Sequence, residues 1–483
     1  MAAPLNKVRV LELYSGIGGM HFALSGKGSG IEYDVVMAMD VNTNANLVYK
    51  HNFLNVNINS SAIESLTVKK FDSLRIDMIL MSPPCQPFTR VGKQKDTEDI
   101  RTKSFLHVLD LLKRSEKCPS YILLENVKGF ECSDSRMRLI ETLKDCGYNF
   151  QELLLTPLQF GIPNSRLRYF LIAKKRPLQF SFQTSEEIMV KLNCPQDWLT
   201  YKLKSEAETQ SEQLKGEGHS CICRRHSEVK SENSVTQTGT GAMSQHSVCK
   251  RTNEDSAEDL NCKRQKQDVG SNVISNAAKG DNLDCESFDK EASDKQKHIG
   301  FCLQNSDCLE NYGENMRQSL TEDQADYGLC LKLHHFLEDK FDSQDLFKEY
   351  LITEKDLKRF MVMDIVNPCS RKTCCFTKRY GHYIDGAGSL VQMSTDIQCI
   401  NEASKLKCKT SLEQNRDQWK DEEFEIVRCL KLRYFTPREI ANILCFPASF
   451  SFPEGLTNRQ KYMLLGNSLN VHIVSVLLRM LTS

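Results

Sequence analysis

The sequence predicts an α/β protein built on a doubly wound parallel sheet. Three observations predict it. Short apolar runs recur along the first part of the chain: Val8-Arg-Val-Leu-Glu-Leu-Tyr14, Tyr33-Asp-Val-Val-Met-Ala-Met39, Ile76-Asp-Met-Ile-Leu-Met81 and Tyr121-Ile-Leu-Leu124. Strands buried on both faces read in this way. Segments with helical apolar spacing separate the runs. Glycine, acid and cysteine then follow the runs directly, at the carboxyl edge where such sheets gather ligands.

The first run ends in Ser15-Gly-Ile-Gly-Gly19, after which a helix begins at Met20. Strand, glycine turn and helix open a nucleotide-binding unit, and Gly16, Gly18 and Gly19 permit positive φ and close approach of a ligand. The spacing is Gly-x-Gly-Gly, not the dinucleotide Gly-x-Gly-x-x-Gly, so a diphosphate on the helix is not expected. The second run ends in Asp40, which suits either a ribose or the N-terminus of a helix over 42–52. A third unit passes through Ile58 and leaves Ile63 and Glu64 where they could flank an adenine.

After the run to Met81 comes Ser82-Pro-Pro-Cys-Gln86. Consecutive prolines fix φ and deny helix to the residue before each, so Cys85 is expected on a stiff turn facing a pocket. Taken alone it reads as one more small buried hydrophobe, as most free cysteines are, and the other segments overturn that reading. A helix is expected over 104–117, from Phe105, Leu106, Leu109 and Leu112, and the strand from Tyr121 carries Glu125-Asn-Val127 to the edge that holds Cys85. Leu139 and Leu143 mark another helix, and residues 151–155 another strand. Arg166 and Arg168 alternate ahead of Tyr169-Phe-Leu-Ile-Ala173, so both point to one face.

Helix and strand periods lapse over 184–325, where Ser, Glu, Lys, Gln, Asn and Gly dominate, and a disordered insertion is expected there. Within it Lys250-Arg251 and Lys263-Arg-Gln-Lys266 form a divided basic cluster. Cys221, Cys223 and His226 lack a second well-spaced pair, so no metal site is expected. Order is expected to resume over 326–425 as a small domain with two or three helices before Met363 and a linker running to about Asp421. Its segment Cys374-Cys-Phe-Thr-Lys-Arg-Tyr-Gly-His-Tyr-Ile-Asp-Gly-Ala-Gly-Ser389 mixes rings, cations and glycines in a way that suits either nucleic acid or a plain surface hairpin. From 426 the chain is expected to complete the first domain. Thr436, Pro437 and Glu439 carry helix-start chemistry, and Leu465-Gly-Asn-Ser-Leu-Asn470 leads into a last apolar helix.

Lys plus Arg and Asp plus Glu both number 63, so the net charge is zero and a polyanion must be met by a local patch. The 20 cysteines are scattered and follow no secretory leader or long apolar span. Reduced thiols in the cytoplasm are expected, with the nucleus added if the basic cluster directs import. A monomer without membrane association is the expectation.

Taken in order, Glu12-Leu-Tyr-Ser-Gly-Ile-Gly-Gly19, Pro83-Pro-Cys-Gln86, Glu125-Asn-Val127, Arg166-Leu-Arg168, Thr436-Pro-Arg-Glu439 and Gly466-Asn-Ser468 resemble the motifs of the cytosine-C5 methyltransferases. Cys375-Phe-Thr377 and the segment 432–452 look like the group acting on cytosine 38 of aspartate tRNA. The resemblance covers residues 8–183 and 326–483. Two departures retain hydrogen-bonding character: Asn164 where the family has Gln, and Thr89 where a serine is usual. The resemblance implies a Rossmann-like fold that uses S-adenosyl-L-methionine, with a small target-recognition domain. It also implies that Ile17, Gly18, Gly19, Asp40, Ile63, Glu64, Ser82 and Ser468 meet that cofactor.

The chemistry is coherent with this. Carbon 5 of cytosine is a poor nucleophile until a thiolate adds at C6, which casts Cys85 as nucleophile. Charge pushed onto the ring is relieved if Glu125 protonates or strongly hydrogen-bonds N3. Arg166 and Arg168 would hold O2 and favour the thiolate of Cys85. An anticodon loop offers an unpaired base to extrude. The rivals are a DNA cytosine methyltransferase with the same motifs and a binding protein without turnover. The two-cysteine route to 5-methylcytosine in RNA is not recreated by Pro368-Cys-Ser370.

Overall fold

Apolar residues alternate between two layers on either side of one sheet. The computed structural model describes residues 7–26, 30–84, 102–192, 194–201, 330–338, 347–410 and 420–483. In strands β1 (Val8–Leu13), β4 (Met78–Met81) and β5 (Tyr121–Val127), Val10, Met78, Leu80 and Leu123 face one core while Leu11, Leu13, Ile79, Met81, Ile122 and Leu124 face the other. A period of two on a sheet covered on both faces requires this. Burying each such side chain is worth about 1.5–3 kcal/mol.

With β2 (Tyr33–Met39), β3 (Ile58–Asn59), β6 (Tyr148–Leu155) and β7 (Arg168–Lys175), these strands form a seven-stranded sheet in the order β3-β2-β1-β4-β5-β7-β6. The chain runs outward from β1 through β2 and then returns to place β4 on the other side, so the topological switch lies between β1 and β4. Register aligns the carboxyl ends: Leu13 pairs with both Met39 and Met81, and Met81 pairs with Leu124.

The sheet departs from the all-parallel expectation at one edge. β7 is antiparallel to both β5 and β6. The link from β6 to β7 carries a 3-10 turn, Pro157–Phe160, rather than a crossover helix, and a parallel return needs the latter.

Helices α1 (Gly19–Ser25) and α2 (Thr43–Asn52) contribute to the core containing Val10. The other side is covered by α3 (Val68–Ser73), α4 (Lys103–Arg114) and α5 (Asp134–Asp145). In α4 the buried Phe105, Val108, Leu109 and Leu112 recur at helical spacing and leave Lys113 and Arg114 to the last turn, where cations suit the dipole.

Ordered packing continues past Thr184. Gln151 donates to the Glu187 carbonyl and accepts from the Ser185 amide, Met189 bridges to Leu153, and Trp198 in the short α6 (Gln196–Leu199) lies beneath Arg479 at 3.8 Å. The pattern here is too short and polar to show a period, because the sheet edge and the last helix supply the apolar partners. The remainder of the insertion from 202, with its basic cluster and the Cys221 group, lies outside the described residues.

The small domain has a three-stranded sheet of β8 (Ile365–Val366), β9 (Leu390–Gln392) and β10 (Leu432–Arg433), with β9 central. Around it pack α7 (Glu354–Leu357), α8 (Ile397–Thr410) and α9 (Asp421–Cys429), with Phe360, Met363, Ala403, Leu406, Val427 and Leu430 inside. Two expectations are corrected here. The helices expected before Met363 are mostly 3-10 turns, at Leu333–Phe336, Lys348–Tyr350 and Phe360–Val362, because apolar spacing of three suits a 3-10 turn equally. The expected linker contains α8, whose apolar stripe is diluted by Lys and Glu.

The expected helix start at Thr436 is present. In α10 (Pro437–Ile443) the Thr436 side chain accepts from the Glu439 amide, and the Thr436 amide donates to Glu439. Glu439 also makes a bidentate pair with the fully buried Arg433 at 2.7 and 2.8 Å, which ties β10 to the helix. After α11 (Asn458–Gly466) the chain breaks over 467–470 and continues as α12 (Val471–Thr482), which packs on α1, β5 and β7. The stretch is long and apolar enough to cross a membrane, but it is divided here and most of it lies inside the protein.

Candidate active site

The carboxyl edge of the sheet carries two groups of side chains. The first surrounds the glycine turn after β1. Tyr14, Gly16 and Gly18 all have positive φ, of 55°, 52° and 83°. For Tyr14 this is unfavourable, and its hydroxyl is anchored on Ser104 Oγ of α4 at 3.0 Å. Asp40 holds the turn: its two oxygens accept from the amides of Gly16 (2.9 Å) and Asn42 (2.8 Å). Burial raises the Asp40 carboxyl, and these two backbone amides partly offset it. The helix cap expected as an alternative for Asp40 is performed by Asn42, whose side chain accepts from Ala45.

A Cβ at Gly18 would meet Phe53 at 2.6 Å, and one at Gly19 would meet Leu469 at 3.1 Å and Ser468 Oγ at 3.3 Å. The segment before α12 therefore closes on the turn from the far end of the chain. Ser15 Oγ is buried there without a hydrogen-bond partner. Ile17 and Ile63 have their side chains in the two cores, so only the backbone of Ile17 borders the turn, and Glu64 is the exposed member of its pair. Ser82 continues β4, its amide directed at the Leu13 carbonyl at 3.4 Å.

The second group lies beyond β5. Glu125 is 9% exposed and sits one residue past the Met81–Leu124 pair. Asn126 donates to the Pro83 carbonyl at 3.4 Å, which ties the strand carrying Glu125 to the proline turn. Cys85 itself lies outside the described residues, the segment before it being described as far as Pro84. Arg168 Nε stands 3.4 Å from Glu125 Oε1. Burial raises the Glu125 carboxyl, and Arg168 and then Arg166 pull it back without cancelling the effect.

Arg166 is placed differently from the expectation that it would hold a base. It is buried, and its guanidinium donates to the carbonyls of Phe376, Gly466 and Ser468. It thus clasps the small domain and the 467–470 break onto the sheet; its Nε has no partner. A pair of arginines in a sequence cannot reveal that one is consumed by carbonyls from distant segments.

Both arginines reach a residue that the sequence placed only within a motif. Cys375 Sγ lies 3.4 Å from Arg166 and 3.8 Å from Arg168. Burial pushes the Cys375 thiol up, but the two guanidinium groups more than offset it, so its pKa falls below the ordinary value. Gly466 explains the other half of this junction. A Cβ there would lie 2.3 Å from the backbone of Thr377 and Lys378, so only glycine lets the two segments cross.

An acid and an arginine beside the Pro83-Pro84 segment, at the sheet edge that also carries the glycine turn, agree with the comparison to known families. Residues 8–483 match the family of C-5 cytosine-specific DNA methylases. The chain belongs to that family. This methyltransferase is similar to the human protein named tRNA (cytosine(38)-C(5))-methyltransferase, with 40% identity over 99% of this chain and 100% of the relative. It is 33% identical, over 99% of its length and 95% of the relative, to a Dictyostelium discoideum protein named DNA (cytosine-5)-methyltransferase. Among solved structures, Spodoptera frugiperda DNMT2 matches with a TM-score of 0.64 and 30% identity, covering 99% of this chain and all of that one. Schizosaccharomyces pombe Dnmt2 matches with a TM-score of 0.56 and 27% identity over 99% and 98%.

Proposed function

We propose that this methyltransferase transfers a methyl group from S-adenosyl-L-methionine to carbon 5 of cytosine 38 in tRNA, with aspartate tRNA as its substrate. The observation that carries this reading is the end-to-end match with relatives named for that reaction, at 40% identity in the human case. The glycine turn fits the cofactor: Gly16 and Gly18 both hold positive φ, with open space beside Gly16, Ser15 Oγ is buried without a partner, and Asp40 lies beside the turn. Gly18, Gly19, Asp40, Glu64, Ser82 and Ser468, with the backbone of Ile17 and the core beneath Ile63, would hold it. Bound there, S-adenosyl-L-methionine supplies an electrophilic methyl group on a sulfonium.

The remaining work belongs to the chain. Cys85 adds as a thiolate to C6 of the cytosine, which makes C5 nucleophilic; once C5 carries the methyl group, loss of its proton expels the Cys85 thiolate and restores the ring. Glu125, whose carboxyl burial holds above its ordinary value, gives its proton or a strong hydrogen bond to N3 as charge develops. Arg168 orients Glu125 and faces the base, while Arg166 keeps the small domain closed on the site. The exposed His382 and Tyr383, beside Lys378 and Arg379, give the small domain rings and cations for an RNA loop.

The Dictyostelium relative supports DNA as the second reading. A methyl-transfer assay offering an aspartate tRNA transcript, other tRNAs and duplex DNA side by side separates them. Incorporation into aspartate tRNA is expected, and it should vanish in Cys85→Ala. Incorporation into DNA alone overturns the RNA reading.

A further inference from the structure

Beneath the glycine turn lies a buried polar chain that the mechanism above does not use. Glu12 is an interior residue of β1, paired with Ala38 and Leu80, and is 1% exposed. Tyr49 Oη of α2 stands 2.7 Å from Glu12 Oε2 and 2.9 Å from His21 Nδ1 of α1. The His21 ring stacks on Phe53 with 3.7 Å between centroids. Tyr49 and Phe53 are the two side chains that a Cβ at Gly18 would strike, at 3.3 and 2.6 Å. The chain therefore ends directly under the turn.

Glu12 Oε1 is buried with no hydrogen-bond partner, a costly arrangement for a charged carboxylate and a tolerable one for a carboxylic acid. Burial pushes the Glu12 carboxyl up to about 8, against the Tyr49 hydroxyl and the His21 backbone, which lower it, and with Asp40 adding a smaller rise; burial also pushes His21 down to about 4. The other titratable group facing the chain is Tyr33 of β2, edge-on to the His21 ring. With its proton on, Glu12 can donate to Tyr49, which donates in turn to an unprotonated His21 Nδ1. Loss of that proton forces both hydrogen bonds to reverse, with Tyr49 donating to Glu12 and His21 having to carry its hydrogen on Nδ1.

We propose that Glu12 is a positioning residue for the methyl donor: as a neutral acid it locks Tyr49, His21 and Phe53 beneath Gly18, and its ionisation loosens the turn. This rests on the reading that the turn holds S-adenosyl-L-methionine. The dependence has a fixed sign, because the neutral acid is the form that supports the turn and the charged form does not. Glu12 supports the turn fully at low pH, and that support is lost as pH rises through about 8.

The test is the affinity of the full chain for S-adenosylhomocysteine by titration calorimetry, from about pH 6 to about pH 9.5. Wild type is expected to weaken about tenfold across that range. Glu12→Gln, which keeps the shape and cannot ionise, is expected to bind tightly with a flat profile. Tyr49→Phe, which keeps the ring against Gly18 but cuts the chain, is expected to bind weakly at every pH while circular dichroism shows a wild-type fold. A Glu12→Gln profile that tracks wild type, or a Tyr49→Phe affinity equal to wild type, overturns the proposal. Wild type failing to bind at any pH instead removes the cofactor reading, and this proposal with it.

Discussion

The glycine turn after β1 and the arginine pair at the start of β7 flank one sheet edge, yet they are held by different means. The turn is built from its own neighbourhood: Asp40 and Asn42 follow the next strand, Tyr49 belongs to the next helix and Phe53 directly follows it. The arginine side is assembled from afar. Arg166 reaches carbonyls at 376, 466 and 468, and Gly466 crosses the backbone at Thr377. One half is thus a local fold of the first units of the sheet, whereas the other exists only when three distant segments have docked. The first should tolerate small changes with graded losses, and the second should fail abruptly.

The largest effect is expected on the docked side, at its acid. Glu125→Gln should lower single-turnover methyl transfer about 100- to 10,000-fold, the range of a lost general acid, with little change in thermal stability. Because burial raises this carboxyl above its ordinary value, wild-type transfer should persist at pH values where an exposed glutamate has ionised. It should then be lost as pH rises through the raised pKa. A near-wild-type rate in the variant would leave proton delivery to another group.

Gly466→Ala comes next. The added methyl would meet backbone at 2.3 Å, and backbone cannot rotate away as a side chain can. A loss of about 3 kcal/mol or more in denaturant-induced unfolding is expected, the upper range for forced overpacking. If the variant were as stable as wild type, the crossing at Thr377 would not be the close packing described here, and the contrast between the halves would weaken.

The same contrast decides how much could be read from the amino acids. Strand runs, the glycine turn, Asp40 and the Thr436–Glu439 capping box were legible because each is stated within a few residues and has a local physical reason. Arg433 as the partner of Glu439 was not, nor was Cys375 between the two arginines, nor the clasp made by Arg166. Those contacts join segments whose docking no local pattern encodes. The antiparallel β7 escaped because its apolar run looks like that of a parallel neighbour, and α8 because its stripe is thin.

Asp40→Asn probes the local half at its strongest point. Both carboxylate oxygens accept backbone amides, and an asparagine can offer one acceptor while setting its amide against the other N–H. A loss of about 1–2 kcal/mol is expected, read as roughly a tenfold weaker affinity for S-adenosylhomocysteine with the fold intact. Equal affinity would mean that the turn keeps its shape without Asp40.

The smallest effect is expected at Gly19. Its added methyl would meet Leu469 at 3.1 and 3.2 Å and Ser468 Oγ at 3.3 Å, all atoms of side chains, and its φ is not in the left-handed region. Gly18 differs on both counts, with φ at 83° and the Phe53 ring at 2.6 Å. Gly19→Ala should therefore weaken cofactor-product binding less than about threefold, since Leu469 can shift by a few tenths of an ångström, whereas Gly18→Ala should cost several times more. Calorimetry on the pair gives the ratio directly. Were Gly19→Ala as damaging as Gly18→Ala, the segment before α12 would be clamped against the turn as firmly as Gly466 is against Thr377. The two halves would then form one docked unit, and the cofactor side would fail as abruptly as the base side.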